Sequence, residues 1–340
     1  MNKYPYFILI LLISSFTFAQ NDTIKLNNGD VIVGRVKSMD KSILTFATKY
    51  SDDDFTIYWL NVIEFNSPRN FIIAFNDGER INTKIHMNPD NPKEIKILKN
   101  NQVIHEKLSE IVLIDRFDHN FFSRLHASID FGVSLKKDQN YKEMTGNLIL
   151  NYPTQHWKYS LSASTSYSKQ DSTSNISRNE IDATVVRFFK KDWFAAVSVN
   201  LLSSSVQNLK LRITENLGGG YFFINSNQYA LGAGAGLAFN SESYTDNLNP
   251  KKNSLESFLK VQFFIYDIGN KVSLNASVMG SPSITEKRRF RLDSNFYIKY
   301  QITSDLYIKT SLTYNFDNQQ AEGASRDDYV LQPSFGWDNN

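Results

Sequence analysis

The feature that most restricts this chain is strict two-residue alternation, sustained strand after strand from Phe121 onward. Between Trp157 and Ser168, residues Trp157, Tyr159, Leu161, Ala163, Thr165 and Tyr167 share one face, while Lys158 and a row of serines take the other. A period of two sets one face of a strand against something apolar and the other against water. The same holds for Leu125–Lys136, where Ile129, Phe131 and Val133 oppose His126, Ser128 and Asp130. It recurs over Leu255–Ile265 and Phe290–Tyr300, and again at the end, where Tyr329, Leu331, Phe335 and Trp337 oppose Gln332, Ser334 and Asp338.

Alternation alone does not separate a membrane barrel from a soluble sandwich, but the connections do. Long polar loops (Lys136–Glu143, Lys169–Arg178, Ser203–Asn208, Glu242–Ser254, Ser281–Arg289, Asp317–Asp328) interleave with tight turns (Pro153–His156, Lys190–Asp192, Asn225–Gln228, Asp267–Lys271, Thr303–Asp305). Short turns at one end and longer loops at the other suit a membrane-spanning barrel, whereas Greek-key crossings have no reason to keep that rhythm. The pattern predicts an all-β chain with an antiparallel up-and-down transmembrane β-barrel of about twelve strands over residues 120–340, its turns and both ends periplasmic.

Aromatic residues make up 14% of the chain and gather at the short turns. Tyr152, Trp157, Trp193, Phe223, Tyr229, Tyr266, Tyr300, Tyr307 and Trp337 are expected to form a girdle at the periplasmic interface, where amphipathic rings prefer the headgroup level. A sparser set, Tyr141, Tyr167, Tyr244, Phe290, Phe316 and Tyr329, lies near the long loops. On the water-facing parity the residues are polar and mixed in sign. Lys158, Glu180, Asp182, Lys210, Arg212 and Glu256 are candidate lumen-lining residues, as are Lys260, Arg291, Asp293, Lys299 and Lys309. They either line a narrow conducting pore or pair across a small lumen and close it. Glu215 and Arg187 break the alternation and read as rim residues or bulges.

Ahead of the barrel, Lys3, the apolar run Phe7–Ile13 and the ending Thr17-Phe18-Ala19 read as a signal peptide over residues 1–19, cut after Ala19. The apolar run is too short to span a bilayer as a helix. Residues 20–119 read as a periplasmic β-rich domain of two similar units, 20–66 and 67–119. Asn28-Gly29 and Asp77-Gly78 sit at matching points of the two units, and each is expected to close a two-residue hairpin. The chain has no cysteine, so neither disulfides nor thiolate metal sites can form. Net charge is +2, near balance, so nothing in the composition suggests a nucleic-acid partner.

The segment Leu26-Asn27-Asn28-Gly29-Asp30-Val31-Ile32-Val33-Gly34-Arg35-Val36, with Leu44-Thr45-Phe46 and Tyr58-Trp59, resembles the opening of the YdiY-like salt-induced outer membrane protein family. The barrel half, with its Trp157–Ser168 strand and glycine-rich middle, is similar to that family's C-terminal region. The resemblance covers nearly the whole mature chain. It implies an outer-membrane barrel with no established catalytic role and brings no functional residues with it. The terminal Trp337-Asp338-Asn339-Asn340 departs from barrels that end on an aromatic residue.

Nothing in the chain calls for a cofactor or a metal. His86, His105, His119, His126 and His156 form no His-x-x-x-His or His-Glu pair. Gly218, Gly220, Gly232, Gly234 and Gly236 have no helix after them, so they are not a phosphate loop. Pairing across the Asn225–Gln228 turn is expected to set Gly220 near Gly232 and Gly218 near Gly234, all five facing the lumen as a flattened corner or a seat for a docked plug. The expected function is a structural or narrow, passive channel whose periplasmic domain plugs it or recruits a periplasmic or cell-wall partner. Two other classes stand beside it. An outer-membrane hydrolase needs a Ser/His/acid site at the outer rim, and a soluble periplasmic binding module needs the aromatic rings buried between sheets.

Overall fold

The computed structural model describes residues 21–338, apart from 41, 100, 118–120, 137–140, 172–173, 246–250, 269–270, 304 and 321–324. The expected leader and His119 lie outside the described residues.

The first nine strands form one sheet: β1 (Asp22–Leu26), β2 (Val31–Asp40), β3 (Ile43–Ala47), β4 (Phe55–Tyr58), β5 (Val62–Phe75), β6 (Arg80–Met87), β7 (Glu94–Lys99), β8 (Gln102–Lys107) and β9 (Ile111–Arg116). Because β9 pairs with both β2 and β5, the strands β1, β2, β9 and β5 close into a ring. β3 and β4 extend this ring from β2, and β6, β7 and β8 extend it from β5. Alternating apolar positions point inward, so Ile24, Phe46, Trp59, Phe65, Phe71 and Ile114 share one dry core. The one-turn 3-10 segments Trp59–Asn61 and Leu108–Glu110 meet in that core, the indole Nε1 of Trp59 donating to the Leu108 carbonyl at 2.8 Å.

The hairpins at Gly29 and Gly78 correct the expected two-residue turns. In each, the glycine N–H donates back to the carbonyl three residues earlier, and the residue before the turn is bonded by its N–H to Asp30 or Glu79. Only the glycine takes positive φ, at 95° and 78°. This is a three-residue loop with glycine in the left-handed region, a conformation that suits a twisted hairpin.

The remaining strands are β10 (His126–Lys136), β11 (Tyr141–Pro153), β12 (Trp157–Lys169), β13 (Ile176–Phe188), β14 (Trp193–Ser204) and β15 (Leu209–Asn225), followed by β16 (Tyr229–Tyr244), β17 (Lys252–Ile268), β18 (Val272–Pro282), β19 (Phe290–Gln301), β20 (Leu306–Asp317) and β21 (Asp327–Asp338). They form a closed, all-antiparallel barrel of twelve strands, sealed where Ser128–Phe131 pairs with Phe335–Asp338. Its outer surface is apolar: Val133, Leu161, Val197, Leu217, Leu237, Leu259, Ile308 and Leu331 are all exposed. Only lipid or another apolar partner can satisfy a belt of that extent.

Candidate functional site

The site is the lumen, and its chemistry differs between the two ends. At the long-loop end, arginines and carboxylates from strands far apart in the ring meet. Arg212 on β15 donates to Glu242 on β16 at 2.8 Å and approaches Asp317 on β20 at 3.7 Å. β15 and β20 are five places apart in a ring of twelve, so this pair spans nearly the full bore. Arg289, in the loop before β19, holds Glu242 at 2.9 Å, Asp317 at 2.6 Å and Glu286 at 2.5 Å. Arg291 on β19 holds Glu256 at 2.5 Å and the Asn240 side-chain oxygen at 2.7 Å. A second link runs from Arg178 on β13 to Asp328 on β21 at 2.8 Å, with Ser204 of β14 also donating to Asp328 at 3.3 Å. Arg178, Arg212, Glu242, Glu256, Arg289 and Arg291 are all buried. Buried charges persist only when paired and hydrogen-bonded, which these are.

Below this network lies a cavity of about 610 Å³, lined by Glu180, Asp182, Arg212, Lys260, Arg291, Asp293 and Lys309 among others. It adjoins a second cavity of about 690 Å³ at the short-turn end, and Val186, Phe194, Phe222, Gln262 and Tyr297 line both. Lys158 and Lys299 face the second cavity. Glu256 lies buried beneath Arg291 and faces neither cavity. Lys309 also lines the upper cavity and pairs with buried Asp130, which further accepts from Asn147 at 2.6 Å and from the Tyr307 hydroxyl at 3.2 Å. That cluster ties β10 to β20 across the seam, where the ladder is short.

Several expected placements change. Lys210 is exposed and faces neither cavity. The β15–β16 register jumps between Leu209 and Leu211, so Leu209 turns inward and Lys210 becomes the extra residue. Tyr307 and Tyr266 leave the expected girdle, because their parity matches Lys309 and Gln262 and both point inward. The other girdle residues keep the outward parity, with Trp157, Trp193, Phe223, Tyr229, Tyr300 and Trp337 exposed. Arg187 is an outward rim residue, its guanidinium over Trp157 and Phe189 at 5.2 Å each. Glu215 is neither at a rim nor in a bulge. It faces outward in the regular ladder between Val199 and Phe239.

The glycines also shift. Gly218 pairs with Gly236, Gly220 with Gly234, and Phe222 with Gly232, two residues from the expected register. The turn closes further along than expected, with Ser226 bonded to Tyr229 and Asn225 paired with Ala230, and the extra residue Phe223 between Phe222 and Ile224 takes back one position of that shift. The glycine wall is neither a bare corner nor a seat for a separate plug. A Cβ at Gly218 or Gly236 would meet the Phe258 ring at 2.8 Å, and one at Gly220 the Phe194 ring at 2.5 Å. Inward phenylalanines of the barrel itself fill the space that the glycines leave.

The short-turn end is covered by the N-terminal domain. A Cβ at Gly78 would lie 2.3 Å from the Asp192 backbone nitrogen, so only glycine fits against the turn before β14. The Arg80 guanidinium sits 3.9 Å over the Phe188 ring, and Gln155 donates to the Arg80 carbonyl at 3.2 Å. Asn227 donates to the Ser109 carbonyl at 3.2 Å, and His126 faces Asp115 at 3.6 Å. Burial pulls the Arg80 guanidinium down to about 10, against the opposing pull of Asp40 and Asp115. Burial also raises the Asp192 carboxyl, the Asn225 hydrogen bond opposes that rise, and Asp77 adds to it.

A barrel with a polar, internally paired lumen and an apolar exterior is the architecture of a membrane-spanning β-barrel. The chain belongs to the family described as protein of unknown function, DUF481, whose model matches residues 129–338. No curated protein matches it in sequence. Among solved structures it is similar to a bacterial polysaccharide outer membrane secretin, at 10% identity over 63% of this chain and 96% of that one, with a TM-score of 0.32. It is also similar to the beta domain of the Bordetella autotransporter BrkA, at 10% identity, the same coverage and a TM-score of 0.32. The translocator domain of the autotransporter NalP from Neisseria meningitidis has a TM-score of 0.34 at 10% identity, over 64% of this chain and 87% of that one.

Proposed function

We propose that this protein is an exported outer-membrane barrel of the narrow, passive kind, closed at rest. Its N-terminal domain stands in the periplasm as a cap on the short-turn mouth and a platform for an envelope partner. The observation that carries this reading is the Arg212–Asp317 pair, which reaches across the bore and is joined by Arg178–Asp328. Links between strands so far apart narrow the long-loop end, which supports a closed resting state. The non-enzymatic reading is supported by where the histidines fall. His86 and His105 belong to the small domain, while His126 and His156 lie at the short-turn end, away from the rim where a lipid hydrolase would work. The resemblance to salt-induced outer membrane proteins belongs to this same proposal.

Planar-bilayer recording of the full chain tests it. The intact protein is expected to be nearly silent, and Arg178→Ala with Arg212→Ala is expected to bring frequent openings. Slower gel migration after boiling than before establishes that each sample had folded. Steady large conductance from the intact protein would overturn the closed resting state.

A further inference from the structure

We infer that the link between the two domains is a membrane-interface anchor, an aromatic foot that inserts into the leaflet at the short-turn end. Phe121 and Phe122 are among the more exposed aromatic residues of the chain, at 52% and 78%. They do not project at random. Phe121 stacks on Tyr152 at 4.8 Å with a 20° tilt, and Phe122 meets Phe121 edge-on at 5.6 Å. Tyr152 lies on the outward parity of β11, the parity of exposed Met144, and its next neighbour is outward Tyr159 at 6.4 Å. The two phenylalanines therefore continue the outer apolar belt and its ring of Trp157, Trp193 and Tyr229, on the lipid side of the wall.

The foot is also held in place. Arg124 is buried, donates to the Pro153 carbonyl at 2.6 Å and lies 4.8 Å from the centre of the Tyr152 ring. This fixes the Phe122–Arg124 turn to the β11–β12 connection while its rings stay outside. Two adjacent apolar rings fixed beside an interfacial girdle, with a cation behind them, suit the boundary between acyl chains and headgroups. The partner is the lipid surface itself, and the foot fixes the height at which the N-terminal domain stands over the barrel mouth.

The inference rests on the barrel spanning a membrane, and one experiment separates the two. The chain has no cysteine, so single replacements accept one label each. Phe122→Cys, Leu217→Cys in the barrel belt and Val103→Cys in the small domain are labelled with an environment-sensitive fluorophore. The full chain is folded into vesicles carrying nitroxide lipids. Quenching at position 122 is expected to reach roughly half that at 217 or more, with little at 103. Quenching at 217 but not at 122 overturns the foot and leaves the barrel standing. Quenching at neither position overturns the membrane barrel.

Discussion

The small domain and the barrel are built from the same alternating strands and turned opposite ways. In the first, the apolar parity faces in, and every member of the core cluster lies between Ile24 and Ile114. In the second, the buried positions include Arg178, Arg212, Glu242, Glu256, Arg289 and Arg291, while Leu217 and Phe223 stand outside. Alternation therefore specifies only that two environments exist, not which of them is inside. Ring size decides that. The small domain's strands, β3, β4, β6 and β7 included, close round a space that apolar side chains fill and keep dry, whereas twelve strands enclose one wide enough for polar and paired charged groups.

The largest expected effect breaks one half without the other. Trp59→Ala removes the indole from the dry core and its bond to Leu108, at a cost of about 3–5 kcal/mol. Proteolysis should then digest the small domain, while the boiling-dependent gel shift of the barrel persists. Loss of both together would mean that the halves fold as one unit.

Next is a pair of positions with the same exposure. Leu217 and Val103 are each 63% exposed, one on the barrel and one on the small domain. Leu217→Arg is expected to destabilise the barrel by about 2–4 kcal/mol, by placing a charge on the lipid face. Val103→Arg should stay within about 0.5 kcal/mol, since water already surrounds it. Urea unfolding in lipid vesicles measures both, and equal costs would erase the inside-out contrast.

The same contrast explains which residues could be read in advance. Glu180, Asp182, Lys260, Asp293 and Lys299 sit mid-strand, where parity alone points them at the lumen cavities. The closing network was harder to read. Arg178, Glu242, Arg289 and Asp317 stand at the first or last positions of polar loops, where alternation gives no parity cue. Some of their partners lie several strands away, as Asp328 does from Arg178 and Arg212 from Asp317. The available signal was the recurrence of buried-type arginines and carboxylates at the inner edges of consecutive long loops. A bulge explains Lys210, the extra residue of its ladder, whereas the glycine register follows from where the turn after Asn225 closes.

Twin glycines give a smaller and more local test of how the two halves meet. Gly29 and Gly78 close like hairpins, but a Cβ on Gly29 meets nothing within 4 Å, while one on Gly78 runs into the Asp192 backbone. Gly29→Ala should cost the small domain about 1 kcal/mol through positive φ alone. Gly78→Ala should carry the same strain and also lift the domain from the barrel mouth. Cysteines placed at Ser109 and Asn227, whose present bond joins the two, should cross-link in Gly29→Ala and fail to in Gly78→Ala.

The smallest effect concerns pH at that same contact. Burial raises the Asp192 carboxyl above its ordinary value and Asp77 of the small domain adds to the rise, so on the Asp77 share the docked state holds the proton more tightly than the undocked one. Docking is then fullest at acid pH and weakens as pH rises from the ordinary carboxylate value, about 4, through the raised one. The groups around it are Asp77, the Glu79–Lys190 pair at 3.8 Å and the Asn225 amide, which donates to Asp192 at 2.8 Å. The lysine is largely exposed, so salt should remove its share and leave the carboxyl's. Cross-linking yield between positions 109 and 227, followed across that range at high salt, should fall with rising pH in the native sequence. It should stay flat in Asp192→Asn, and an equal fall in both would assign the dependence to another group.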